Sequence, residues 1–260
     1  MRILVTNDDG INAPGLKKLI DIAQELAGHK GEVLSVAPTT ERSGNAHLIS
    51  LATPMMITEV ENRRFALEGS PADCVIAGIH FVMKNSKPDL ILSGINRGNN
   101  SAENALYSGT LGAAMEGALQ GITSIALSQY LGTKNFNLEN PFDAAENWGA
   151  QVIKKILKNI SKSYADYKLF FNVNFPPCPS NLVKGIKVLP QGRRKKVCFD
   201  VVAAKSPRQK QFLFINGSNQ QKPSQKNTDA AANLDDFVTV TPMTGDLTAH
   251  EEINVLKVIE

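Results

Sequence analysis

Two aspartates stand side by side in VTNDDGINAPG, residues 5–15, directly after an apolar run that begins almost at the first residue. Adjacent carboxylates repel, so such a pair at the end of a buried strand is costly unless it faces water on a turn or a cation holds it together. Mg²⁺ and Mn²⁺ prefer hard oxygen ligands and are commonly held by one or two carboxylates, with water and phosphate completing the shell. Asp8 and Asp9 would neutralise a divalent ion, and Ser43 and Asn96 could add neutral oxygens. Such an ion acts as a Lewis acid and lowers the pKa of its bound water. A solvated Asp-Asp-Gly turn is the plainer reading of the tripeptide alone. It loses weight once the other polar loops are considered.

A phosphate would need hydrogen-bond donors, and SGT at 108–110 can supply them. Gly109 permits close backbone approach, and Ser108 and Thr110 bring hydroxyls to a helix N-terminus. A glycine turn with Ser or Thr as N-cap explains the same residues equally well. Asn7, Gly44 and Gly94, in the neighbouring loops, complete the expected phosphate- and substrate-binding set. SPAD at 70–73 reads as structural: Ser70 suits an N-cap, Pro71 the first helical position and Asp73 the third, a capping-box arrangement. His47 follows the Ser43 loop and could meet the phosphate, although a lone loop histidine more often serves structure, and His29, His80 and His250 show no zinc spacing. RRKK at 193–196 lacks a flanking aromatic platform, so a solvated hairpin tip is preferred to a nucleic-acid site.

Strand-like and helix-like segments alternate to position these loops. Residues 3–6, 32–38, 54–58, 64–69, 89–96, 123–128 and 168–176 read as strands, and helices are expected after Pro14, over 70–83, from 108 to 121 and over 142–160. Alternation of this kind implies right-handed crossovers and a mostly parallel, doubly wound α/β sheet covered on both faces. In such sheets ligands bind beyond the carboxyl ends of the strands. NDDG, TTERSG (39–44) and SGINRGNN (93–100) all follow strands, so they share one rim. After about residue 185 the pattern changes to an extended arm or hairpin over 190–217, a polar loop over 218–236, a last strand over 237–242 and a tail. That region seldom forms a core alone and should pack on the main body or on a second subunit.

The 260 residues suffice for one sizeable domain, divided here into a core (1–185) and a C-terminal arm and tail (186–260). A net charge of +3 is too small to predict nucleic-acid or membrane binding. Cys74, Cys178 and Cys198 are odd in number and lack C-x-x-C spacing, which argues against a disulfide framework and for a reducing compartment. The N-terminus opens with a strand-length run and not with a leader, so a cytoplasmic location is expected.

The segments MRILVTNDDGINAPG, APTTERSGNAH, GSPADC, PDLILSGINRGNN, YSGTLGAAMEG and VTVTPMTGDLT run in order from residue 1 to 248. Together they resemble the SurE family of stationary-phase survival proteins. The resemblance implies a metal-dependent phosphatase of nucleoside 5′-monophosphates, with 3′-monophosphates as further candidates. It implies one Mg²⁺ or Mn²⁺ per subunit on Asp8, Asp9, Ser43 and Asn96, with Asp8 or Asp9 accepting a proton. It also implies a Rossmann-like core and a C-terminal arm exchanged within a homodimer or homotetramer. Thr39 stands where many relatives are acidic, and Arg97 and Asn99 replace small residues, which bears on substrate preference. A haloacid-dehalogenase-type phosphatase fits less well, because its two aspartates are separated by one residue. A nucleotide-binding sensor without turnover is the alternative from outside enzymology.

Overall fold

The computed structural model describes residues 1–160, 169–194, 199–217, 220–221 and 224–260. Cys198, Lys195 and Lys196 lie outside the described residues. Nine strands form one sheet in the order β3-β4-β2-β1-β5-β6-β7-β11-β8. Its strands are β1 (Arg2–Thr6), β2 (Glu32–Pro38), β3 (Ile57–Glu61), β4 (Arg64–Leu67), β5 (Leu90–Arg97), β6 (Ser124–Gln129), β7 (Phe170–Phe175), β8 (Ile186–Val188) and β11 (Val238–Met243). The six from β4 to β7 in that order run parallel, β3 and β11 pair antiparallel with β4 and β7, and β8 pairs parallel with β11.

The central strands are apolar throughout because both their faces are covered. Along β1, Ile3 and Val5 point to one face and Leu4 to the other, the period of two expected of a strand. On the Ile3 side lie α1 (Pro14–Ala27) and α4 (Asp143–Asn159), which bury Leu16, Leu19, Val152 and Ile153. On the Leu4 side lie α2 (Pro71–Ala77) and α3 (Gly109–Leu119), contributing Val75 to one cluster and Leu111, Ala114 and Ala118 to another. Pro14 opens α1 where a missing N–H costs nothing. Ser70 and Asp73 form the expected capping box of α2.

Several expectations need correction. The strand expected at 54–58 begins at Ile57, because pairing with β4 sets in only at Ile57↔Leu67. The helix expected over 70–83 is α-helical to Ala77 and then widens into a π turn, Gly78–Val82. The polar stretch 218–236 contains a helix, α5 (Asp229–Leu234), and the tail contains α6 (His250–Leu256). Residue 185 does not mark the edge of the sheet either, since β8 and β11 both belong to it. What stands apart is the antiparallel hairpin of β9 (Asp200–Lys205) and β10 (Gln211–Asn216), a separate two-stranded sheet. Its turn lies at 206–210, so RRKK is not its tip. Arg194 is only 4% exposed. Its guanidinium donates to Ser101 O (3.0 Å), Ser101 Oγ (2.8 Å) and Asn99 Oδ1 (3.2 Å) and pairs with Glu103, a reason for burial that lies far upstream in the chain.

Candidate active site

From β1 the chain builds outward through β2 to β4, and from β5 it builds the opposite way through β6 to β7. The crevice beyond the carboxyl ends of β1 and β5 is therefore the topological switch point, where open α/β sheets take their ligands. Thr6 of β1 pairs with Ser93 of β5 at this end, so the loops carrying Asp8 and Asn96 leave the sheet side by side. Beyond Ser93 the β5–β6 register shifts. Gly94 lies in that shift at φ +139°, where a Cβ would stand 2.2 Å from Leu127 O. A shift of this kind re-aims the side chains that follow it, and Asn96 is one of those that line the cavity described below.

The loop carrying Ser43 is fastened at several points. Arg42 N donates to Asp8 O (2.7 Å) and Ala46 N to Tyr107 O (3.2 Å). Ser70 Oγ donates to Leu48 O (2.5 Å), and Ser50 donates through N and Oγ to the two oxygens of Asp73 (3.0 and 2.8 Å). His47 Nε2 meets Glu116 Oε2 at 2.8 Å. The loop runs so close to α3 that a Cβ on Gly112 would stand 2.0 Å from Ala46 O. Asp73 and His47 thus hold this loop, which accords with their structural reading.

These loops enclose a cavity of about 350 Å³, within the range of ~300–1,000 Å³ usual for small-molecule sites. Of the expected residues, Asp8, Ser43, Gly44, Asn96 and Ser108 line it. Asp8 is 3% exposed and Asp9 partly buried. Thr110 Oγ1 donates to Asp8 Oδ1 at 2.6 Å, and the Thr110 N–H also faces this carboxylate. Asp9 Oδ2 accepts from Arg97 N at 3.1 Å. Burial pushes Asp8 up to about 6, with the Asp9 charge adding to the rise. Burial also raises Asp9, against the pull of the Arg97 N–H. No cationic side chain among the described residues lies within ion-pair distance of either carboxylate.

Asn7, Gly94, Gly109 and Thr110 are not among the residues that line the cavity. Thr110 is turned to Asp8, and Ser108 Oγ accepts from Leu111 N (3.1 Å) as the cap of α3. The start of α3 therefore holds Asp8 and caps its own helix, while Ser108 keeps its O–H free toward the cavity. Gly109 lies against Asp8, where a Cβ would stand 3.1 Å from Oδ2. Asn7 is fully buried and its Nδ2 donates to Gly10 O (2.9 Å), so it shapes the turn and does not face the cavity. Gly94 likewise acts through the backbone path and not as a ligand contact. Tyr107, Asn104 and Phe199 also line the cavity. Phe199 carried no signal in the sequence, because its relation to Tyr107 exists only in three dimensions.

An oxygen-only donor set of this kind suits a hard divalent ion: two raised, unneutralised carboxylates with the Ser43 hydroxyl and the Asn96 amide oxygen close by. Ser43 Oγ donates to Glu41 Oε1 (2.7 Å) and Asn96 Nδ2 donates one N–H to Gly98 O (2.9 Å), and the acceptor lone pairs of the Ser43 hydroxyl and the Asn96 amide oxygen remain. No group of three or more His, Cys, Asp or Glu that could hold a metal occurs among the described residues. An ion held by the two aspartates would therefore take its other ligands from neutral oxygens.

A family model described as "Survival protein SurE" matches residues 3–197, most of the chain. The chain belongs to the SurE family. Relatives named "5'-nucleotidase SurE" include one from Ruegeria sp. (strain TM1040), 58% identical with 100% of both chains covered. Another from Ruegeria pomeroyi is 56% identical with 99% of each covered. The crystal structure of the SurE protein from Aquifex aeolicus superposes with a TM-score of 0.82 at 32% identity, covering 100% of this chain and 99% of that one. The SurE fold thus extends over the whole chain, hairpin and tail included.

Proposed function

We propose that this SurE-family chain is a metal-dependent 5′-nucleotidase that releases phosphate from nucleoside 5′-monophosphates. The carrying observation is the convergence of Asp8, Ser43 and Asn96 on one cavity at the switch point, where no side-chain cation among the described residues forms an ion pair with Asp8 or its neighbour Asp9. The names of the similar proteins support the same activity. Mg²⁺ or Mn²⁺ held by Asp8, Asp9, Ser43 and Asn96 would supply Lewis acidity toward a phosphoryl oxygen and toward water. The protein does the positioning. Thr110 fixes one oxygen of Asp8, and Gly109 leaves space beside the other. Asp8 or Asp9 would take the proton of the attacking water, and the position of Asp8 on the cavity lining favours Asp8. As the new P–O bond forms, the ester P–O bond breaks and the departing alkoxide takes up a proton. Arg97, exposed on the cavity wall, adds positive charge near the phosphate.

We further propose a homodimer or homotetramer in the cytoplasm. Support for assembly comes from the apolar hairpin that projects from the body. Support for a reducing compartment comes from the free thiols of Cys74 and Cys178. No helix among the described residues is long and apolar enough to cross a membrane. The deciding experiment measures phosphate release from a panel of 5′- and 3′-mononucleotides with Mn²⁺ or Mg²⁺, with and without EDTA. Turnover that requires the ion is expected. Binding without turnover, or turnover indifferent to EDTA, overturns the reading.

A further inference from the structure

A second cavity, of about 400 Å³, opens beside α1 at the amino ends of β2 and β4. It shares no lining residue with the cavity at Asp8, and the proposed phosphatase chemistry gives it no role. Its floor follows from strand register. Ser35 of β2 pairs with Val5 of β1 on one side and with Arg64 of β4 on the other. Residues paired in this way share a face of the sheet. Val5 belongs to the core cluster of Leu16 and Leu19 from α1, so Ser35 and Arg64 lie on the α1 face, where they line the cavity.

Ser35 is 1% exposed. Neither its Oγ nor the buried Nε of Arg64 has a hydrogen-bond partner among the described residues. Buried polar groups are nearly always paired, so two unpaired neighbours in the lining of one cavity call for a shared acceptor. The guanidinium of Arg64 is already fixed at its other two nitrogens. Nη1 donates to Glu61 Oε2 (2.5 Å) and Nη2 to Ile11 O (3.0 Å). A donor set in place beforehand lowers the ordering that a ligand must impose. Half-exposed Arg63 adds a second cation, and its ion pair with Glu32 is long at 3.7 Å. Two arginines against one glutamate, Glu61, leave the lining positive. Ile20, Ala27 and Val33 supply an apolar wall beside them.

We propose that this cavity is a second small-molecule site, taking an organic anion whose oxyanion head accepts from Arg64 Nε and Ser35 Oγ. A short apolar body would lie along Ile20, Ala27 and Val33. The inference is independent of the nucleotidase reading. Its test uses radiolabelled 1-butanesulfonate, which has such a head and body and no phosphoester to hydrolyse. Binding to the full chain with Mn²⁺ present is measured by equilibrium dialysis. Saturable binding to each chain is expected. Ser35→Ala removes an unpartnered hydroxyl, leaves phosphate release unchanged and weakens binding by about tenfold. Arg64→Lys abolishes binding, and Ser35→Ala decides the matter even where the lysine variant, deprived of its Ile11 contact, fails to fold. Asp9→Ala leaves binding unchanged, because the two cavities are separate.

Binding that never saturates overturns the inference, as does wild-type affinity in Ser35→Ala. Binding lost in Asp9→Ala places the probe in the cavity at Asp8 and overturns it as well.

Discussion

Asp8 is held by a threonine whose only polar atom in the side chain is spent on it. The Thr110 hydroxyl sits 2.6 Å from Asp8 Oδ1 in a fully buried setting. Thr110→Val removes that donor and leaves a buried carboxylate oxygen short of a partner, at a cost of about 1–3 kcal/mol. Groups that orient metal ligands typically contribute ~10–100-fold. We expect Thr110→Val to lower kcat by that order and to weaken metal binding measured by calorimetry, and Thr110→Ser to restore most of both. Equal activity in the valine variant would remove Thr110 from the positioning of Asp8. Asp9→Ala is expected to reduce metal-dependent phosphate release by on the order of a hundredfold or more with the circular dichroism spectrum unchanged. At this scale the sequence is most legible where a residue's type already states its chemistry. Asp8, Asp9 and Ser43 are short oxygen-bearing side chains past strand ends and Asn96 lies among the last paired residues of β5, and pattern alone brings these segments to one rim. Asn7 and Gly94 lie in the same loops but shape the backbone's course, through the Asn7–Gly10 bond and the close approach to Leu127 O, which residue type does not reveal.

The elements around the site are fastened to one another through the Ser43 loop. α2 holds it through Ser70 and Asp73, and α3 through Glu116 and the bare face of Gly112. Gly112→Val would push Ala46 away from α3. We expect lower thermal stability and a raised KM, both relieved poorly by excess metal, because the loop and not the ion is displaced. Glu116 also gives the fastening a pH dependence. The hydrogen bond from His47 outweighs burial and holds the Glu116 carboxyl below its ordinary value of 4.5, although nearby Asp73 pushes the other way. A depressed carboxyl contributes stability that is complete above its unfolded-state pKa and is lost as pH falls through the folded one. Melting temperatures of wild type and Glu116→Gln should therefore differ by a few degrees near neutrality and converge as pH falls through the lowered pKa of Glu116. A gap that persists in acid would sink this account. Helix starts were legible at this scale because capping is local, as Ser70, Pro71 and Asp73 show. The π turn after Ala77 and the six-residue α5 were not. Neither has a periodic apolar face long enough to register.

Over the whole molecule, the projecting hairpin is the feature that a lone chain explains least. Val201, Val202, Phe212, Leu213, Phe214 and Ile215 are each more than half exposed, a run of apolar side chains that monomeric proteins seldom present to water. The proposed oligomer would bury it. Leu213→Asp combined with Ile215→Asp should reduce the mass seen by light scattering to that of one chain, and a monomeric wild type would dismiss the oligomer. The alternation of strands and helices was legible along the first two-thirds because each parallel strand is an apolar run between punctuating loops. The C-terminal third was less so. Strands β8 and β11 rejoin the sheet and Arg194 turns inward because of partners brought together only by folding.

Residues from both ends of the chain, Asp8 to Ser108 and Phe199 to Gln220, line the one cavity. Its wall is therefore complete only after the C-terminal region has folded back over the rim that the N-terminal strands built.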